Sequence, residues 1–366
     1  MSEKSSVYSA AGVDYALLDA GKRNAIAAAR STSPFAAQHG AVVNDLSRGE
    51  PAFTFAMNGT ELAMVMECLG TKSSIAAEFE LESGVNRFDW VGYDGVSAIV
   101  NDLCSVGALP LVVSAYFATG SPAWYNSEGR FDALVEGWRH ACEDSAAVWG
   151  GGESPMLAGI IEEGQLDLGG SAVGYFPPGR RPLLGVDLGA GDEIVLIESS
   201  GIHTNGNSLA RQAAGIVGWS HELSDGSSFG DAVLTPSIIY VKLLRAVVDA
   251  DIPLHYASHI TGHGLRKLMR ADRELTYRID TLLPSMPVFD VMVEVLGLDA
   301  ETAYGTFNMG AGFALICPAG NASRIVEAAQ SVGLVAVHAG NVEEGPRRVI
   351  LREVGVMFSD EDLQLR

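Results

Sequence analysis

The residues best suited to holding a phosphorylated ligand lie between Gly191 and Arg211, in the run Gly-Asp-Glu-Ile-Val-Leu-Ile-Glu-Ser-Ser-Gly-Ile-His-Thr-Asn-Gly-Asn-Ser-Leu-Ala-Arg. Ile194 to Ile197 reads as a buried strand, Ser199 to Asn207 as a small polar loop, and a helical pattern begins near Ser208. Such a loop offers free backbone N–H groups and the positive end of a helix dipole to an anion. Gly201 and Gly206 let the backbone come close. Ser199, Ser200, Thr204 and Asn205 add neutral donors, and His203 and Arg211 could add charge. A well-capped strand–turn–helix connection without a ligand would use the same residues, because glycine-rich loops are weak motifs.

Glu67-Cys-Leu-Gly70-Thr71-Lys72 combines a carboxylate, a glycine turn and a lysine. That set suits metal-bound phosphate: the acid holds Mg2+ and the lysine neutralises a phosphate oxygen. A solvated turn is the plain alternative, yet lysine is rare here, occurring only at 4, 22, 72, 242 and 267. Asp94 and Asp102 lie on a predicted helix over 94–108; eight residues apart, they share a helix face but are separated by roughly 12 Å of rise, too far to chelate one ion. Asp94 suits an N-cap. Asp102, beside Asn101 in the helix interior where Asp is disfavoured, points to metal or phosphate. Glu153 follows Gly150-Gly-Gly152, read as the terminator of a helix over 131–149, and Asp167 precedes a strand of small residues. Glu153 would equally serve as a surface acid. Acids spread over several segments are how multi-Mg2+ nucleotide sites are assembled. His259 and His263 are spaced for zinc on a helix, but Gly262 and Gly264 argue for a loop that contacts ligand or the partner domain. Tyr304 to Phe313 is a third glycine-rich turn, suited also to tight packing.

The elements that must position these groups are those of a 366-residue, 48% hydrophobic chain, long enough for two domains. The boundary is expected at Pro177-Pro-Gly-Arg-Arg-Pro182, giving domains 1–176 and 183–366, the second alternating strand and helix. Helix is expected at 22–30, 208–214, 236–248, 265–270 and 322–332, and strand at 53–57, 62–66, 111–117, 167–175, 193–198, 312–317, 335–339 and 348–351. Net charge is −21 and no basic run is present, so nucleic acid and anionic membranes are excluded as expected partners. No apolar stretch reaches the ~20 residues of a membrane span, and Met1 to Ser6 lacks a signal-peptide core. Cys68, Cys104, Cys142 and Cys317 form no CxxC pair, which disfavours a zinc or disulfide framework and suggests a reducing cytoplasm.

The order of the loops carries a resemblance. It starts at Tyr8-Ser-Ala-Ala-Gly-Val-Asp14 and runs through Leu69-Gly-Thr-Lys72, Asn101-Asp102, Gly107-Ala-Leu-Pro110 and Gly151-Gly-Glu153. Gly191-Asp192, Ser199-Ser-Gly-Ile-His-Thr-Asn-Gly206, His259-Ile-Thr-Gly262 and Thr306-Phe-Asn-Met-Gly310 complete it. The chain resembles the aminoimidazole ribonucleotide synthetase, or phosphoribosylformylglycinamidine cyclo-ligase, family over nearly its whole length. It departs at Glu67-Cys68-Leu69, where the family has Asp-Gly-Val, at Ser154 to Gly159, which loses an acid, and at Phe88, which replaces a histidine. The family's early glycine-rich nucleotide loop is not recognisable around Ser33 to Ala41.

The resemblance implies an α/β (α+β) fold of two domains, with N-terminal sheets pairing into a barrel across a homodimer. It implies ATP-dependent cyclisation of formylglycinamidine ribonucleotide in purine biosynthesis. By the resemblance, Glu67, Asp94, Asp102 and Glu153 hold Mg2+. Gly70, Thr71, Lys72, Asp94 and Asn101 contact ATP, and Ser199, Ser200, His203, Thr204 and Asn205 hold the substrate. Lys72, Asp102 and His259 serve the chemistry, so loss of Lys72 is expected to harm turnover more than folding. Alternatives are a non-catalytic or differently specific ATP-binding paralogue, or a relative of thiamine-phosphate kinase, selenide dikinase or the hydrogenase-maturation dehydratase.

Overall fold

The computed structural model describes residues 15–127 and 129–363, and the Tyr8–Asp14 segment lies outside them. After a helix, Tyr15–Thr32, the first sheet is built from β1 (Ala41–Asn44), β2 (Phe53–Met57), β3 (Thr60–Cys68), β4 (Leu109–Thr119), β5 (Val148–Glu153) and β6 (Leu166–Tyr175). Its order is β1-β2-β3-β6-β4-β5, antiparallel except for the β4–β5 pair. β3 alternates, burying Ala63 and Val65 and exposing Met64 and Met66, the period-2 pattern of a sheet with one covered face. The covered face packs on helices Phe88–Ser105 and Arg130–Asp144 through Phe117 and Trp138, whose rings meet edge to face at 5.2 Å. Met64, Met66, Leu111 and Val148 remain exposed on their strands.

The second sheet comprises β7 (Glu193–Glu198), β8 (Tyr256–His259), β9 (Leu275–Ile279), β10 (Ala311–Cys317), β11 (Ala336–Glu344), β12 (Arg348–Leu351) and β13 (Val356–Ser359). Its order is β13-β12-β9-β11-β7-β10-β8, with β12 and β9 parallel. β10 is buried along its whole length between β7 and β8, which is why it reads as a continuous apolar run rather than an alternation. Helices Asn207–Val217, Val241–Asp249, Pro287–Leu296 and Ala322–Ser331 accompany this sheet.

Three expected elements are corrected. The helix expected over 94–108 begins six residues earlier, at Phe88, so Asp94 lies inside it and caps nothing. The helix expected over 131–149 ends at Asp144, and Gly150 to Gly152 belong to β5 instead of terminating a helix. Gly152 serves close strand packing: a Cβ there would lie 2.0 Å from the Ala115 carbonyl oxygen. The helix expected over 236–248 starts only at Val241. Residues 236–240 are irregular because side chains of the Phe88–Ser105 helix take their backbone hydrogen bonds, as described next. Local periodicity carries no information about such long-range partners.

Candidate functional site

The seam between the two sheets is made by one helix, Phe88–Ser105. Asp94 Oδ1 accepts the Ser237 N–H at 2.7 Å. Asn101 accepts the Tyr240 N–H at 2.9 Å and donates to the Ile238 carbonyl at 2.8 Å. Lys72 is fully buried, ion-pairs with Asp94, and donates to the carbonyls of His203 at 2.9 Å and Thr235 at 3.2 Å. His203 reaches Lys72 through a left-handed backbone, φ 58°. Lys72, Asp94 and Asn101 therefore spend their polar atoms on holding the two halves together.

The adjacent cavity has a volume of about 380 Å³ and is walled by Glu50, Glu67, Cys68, Asp102, Thr204, Asn205, His259, Thr261, His263, Lys267 and Arg270. Asp102 enters from the C-terminal part of the seam helix, and His259 from the end of β8. His259 Nδ1 and Asp102 Oδ1 are 2.8 Å apart, and the buried His259 Nε2 has no protein partner. Burial alone would raise the Asp102 carboxyl, but the His259 hydrogen bond and charge, with Lys267 and Arg270, hold it below its usual value. Burial pushes the His259 imidazole down against the opposing pull of Asp102. A low aspartate beside a low histidine fixes the tautomer: Nδ1–H donates to the carboxylate and Nε2 is left a bare base. Burial and the Asp102 charge push the Glu67 carboxyl up to about 7. Burial, then the Arg270 charge, brings the Lys267 ammonium down to about 8.

The expected site residues fall into separate places. Glu67, Asp102, His259, Thr204 and Asn205 meet at the cavity. Lys72, Asp94 and Asn101 are buried in the seam. Gly70 and Thr71 open instead into a second depression of about 320 Å³, with Ser73, Asp167 and Arg211. Ser199 and Ser200 bond inward, to Asn308 Oδ1 at 2.9 Å and the Pro236 carbonyl at 2.6 Å, and His203 is buried. Glu153 is exposed at the end of β5. Among the described residues no three His, Cys, Asp or Glu side chains are grouped to hold a metal, so Glu67, Asp94, Asp102 and Glu153 do not share one ion. The reason is topological: Asp94 faces Lys72 and Ser237, whereas Asp102, two turns on, faces the cavity.

Sequence reasoning missed Glu50, Lys267 and Arg270. Glu50 accepts from the Tyr256 hydroxyl at 3.0 Å, and Arg270 Nε donates to the Gly49 carbonyl at 2.9 Å, so the 49–51 segment closes one side of the cavity. Nothing local marks Glu50. The scarcity of lysine is a usable signal for Lys267, which is buried.

A family model described as AIR synthase related protein, N-terminal domain, matches residues 49–176, and one described as AIR synthase related protein, C-terminal domain, matches 189–352. A phosphoribosylformylglycinamidine cyclo-ligase of Methanothermobacter thermautotrophicus is 34% identical over 270 residues, 72% of this chain and 75% of that protein. One from Clostridium novyi is 31% identical over 318 residues, 85% of this chain and 90% of that protein. The fold is shared with the thiamine monophosphate kinase of Aquifex aeolicus, at a TM-score of 0.54 and 16% identity, over 81% of this chain and 90% of that one.

Proposed function

Since this chain belongs to the AIR synthase related family, we infer that it performs the reaction its curated relatives are named for. That reaction is the ATP-dependent cyclisation of formylglycinamidine ribonucleotide to aminoimidazole ribonucleotide, a step of purine biosynthesis. ATP phosphorylates the formyl-derived oxygen; a neighbouring nitrogen then attacks the same carbon, phosphate leaves, and the imidazole closes. Catalysis of this kind rests mostly on positioning and charge neutralisation.

The observation that carries the reading at atomic scale is the Asp102–His259 pair at the cavity, with a His259 Nε2 that is buried and has no protein partner. Asp102 orients the ring, and Nε2 takes the proton that the attacking nitrogen must lose on closure. Thr204 and Asn205 supply neutral hydrogen bonds to the substrate from the opposite loop. Glu67 and Asp102 fit a divalent cation: burial, then the charge of Asp102, raises Glu67, and Mg2+ commonly binds one or two carboxylates together with substrate phosphates. Mg2+ there would neutralise phosphate charge. Gly70 and Thr71, with the N–H groups at the start of helix Lys72–Ser83, are the proposed contacts to ATP phosphate in the second depression. Lys72, Asp94 and Asn101 serve by holding the seam that sets the cavity's width.

We further propose that the apolar outer face of the first sheet, exposing Met64, Met66, Leu111 and Val148, pairs with the same face of a second copy. The reaction is tested by measuring ADP release from Mg-ATP with and without formylglycinamidine ribonucleotide while following aminoimidazole product. Substrate-dependent ADP matched by aminoimidazole is expected. ATP binding without product would favour a paralogue of different specificity.

A further inference from the structure

The loop that the sequence marks for the substrate phosphate reaches the cavity only through Thr204 and Asn205, both neutral. Its histidine is buried, and burial, then the charges of His259 and Lys72, hold it uncharged. A phosphomonoester brought into a chain of net charge −21 needs positive charge at its binding point. The cavity supplies that charge on a different segment. The turn Thr261–Arg270 sets Thr261, His263, Lys267 and Arg270 along one wall, facing Glu67 and Asp102. The two segments abut: a Cβ on Gly262 would lie 2.8 Å from Asn205 Oδ1.

Lys267 is at the centre of this wall. The residue is buried, and its ammonium bonds the Thr261 hydroxyl. Thr261 also lines the cavity, so an ammonium and a hydroxyl are presented together. Arg270, one helical turn on, is tied through Nε to the Gly49 carbonyl and stands 3.8 Å from Glu50. The structure offers two explanations for a buried lysine here. It could merely balance Glu67 and Asp102, or it could receive an anion. One ammonium beside two carboxylates does not need the hydroxyl partner or the continuity with Thr204 and Asn205, whereas a phosphate-binding wall uses all of them.

We propose that Lys267, with Thr261 beside it and Arg270 flanking it, takes the phosphomonoester of the substrate and is a specificity-determining residue of this cavity. The proposal rests on the ligand being a ribonucleotide, as in the reaction above, and locates that ligand's phosphate on the Thr261–Arg270 turn. The cavity is thereby polarised: the phosphate lies at the basic wall, and the ring-closing atoms lie at the Asp102–His259 wall.

The test uses ribose 5-phosphate and ribose as calorimetric probes of the full chain, with no turnover required. Wild type should bind ribose 5-phosphate and show no comparable heat with ribose. Lys267→Met should weaken ribose 5-phosphate by about tenfold or more, the loss of one charge-assisted hydrogen bond, while Lys267→Arg should keep most of the affinity. Should Lys267→Met not fold, Lys267→Gln removes the charge but keeps a donor for Thr261 and is read the same way. If wild type does not bind ribose 5-phosphate, or if the neutral variants bind it within about twofold of wild type while melting at a lower temperature, Lys267 is a charge balancer and the proposal is overturned. If the probes behave as expected but no aminoimidazole forms from the ribonucleotide, the assigned reaction fails and the phosphate wall stands.

Discussion

At the scale of single residues, Glu67 gives a pH test of the cavity's charge. Its carboxyl is raised from an ordinary 4.5 to about 7 by burial and by Asp102. Across that window the folded chain keeps a proton that the unfolded chain has lost. Stability contributed by this group is therefore present at low pH and falls as pH rises toward 7. The melting temperature should drop between pH 5 and 8 more steeply in wild type than in Glu67→Gln, and Mg2+ should narrow the difference at the upper end. Parallel curves for the two proteins would mean that Glu67 is ionised throughout and the carboxylates are not in conflict.

At the scale of elements, the seam helix Phe88–Ser105 does two jobs on different faces. Asp94 and Asn101 bind the backbone of residues 237–240, while Asp102 faces the cavity. Lys72 and Asp94 form an ion pair with neither side chain exposed. Removing one member leaves the other charged and buried, a loss of about 3–5 kcal/mol. Lys72→Met should accordingly lower the melting temperature along with turnover, a stability cost the sequence did not suggest. A second substitution, Asp94→Leu, should recover part of that stability, because it removes the orphaned charge. Thermal melts of the two single variants and the double variant check this, and a Lys72→Met protein as stable as wild type would return Lys72 to a purely chemical role.

At the scale of the whole molecule, the first sheet is covered on one face by helices and carries exposed apolar residues on the other. Met66, near the C-terminal end of β3, is 78% exposed, an expensive arrangement for an isolated chain and an ordinary one for a buried interface. Sedimentation should find a dimer in wild type and a shift toward monomer in Met66→Glu, since an unpaired charge would be buried twice in a symmetric contact. A wild-type monomer at micromolar concentration would remove the paired-sheet proposal. The excess of negative charge makes any such association stronger as salt screens repulsion.

The chain by itself determined the family and much of the element list. The apolar runs at 53–57, 193–198 and 312–317 are strands in the structure, because burial of alternate or continuous apolar residues is written locally. It also marked His259, Thr204 and Asn205, since short polar and glycine-rich loops leave a local signature, and Asp102, since aspartate is disfavoured inside a helix. Only the tertiary structure decided which of the marked residues share a cavity. It put Lys72, Asp94 and Asn101 into a seam with residues more than a hundred positions away, and it brought Glu50 to Tyr256 and Lys267 to the wall facing Glu67. The physical reason is that a helix turns a side chain by about 100° per residue. Asp94 and Asp102 look alike in sequence, and only the packing of their helix decides that one meets a lysine and the other meets a histidine.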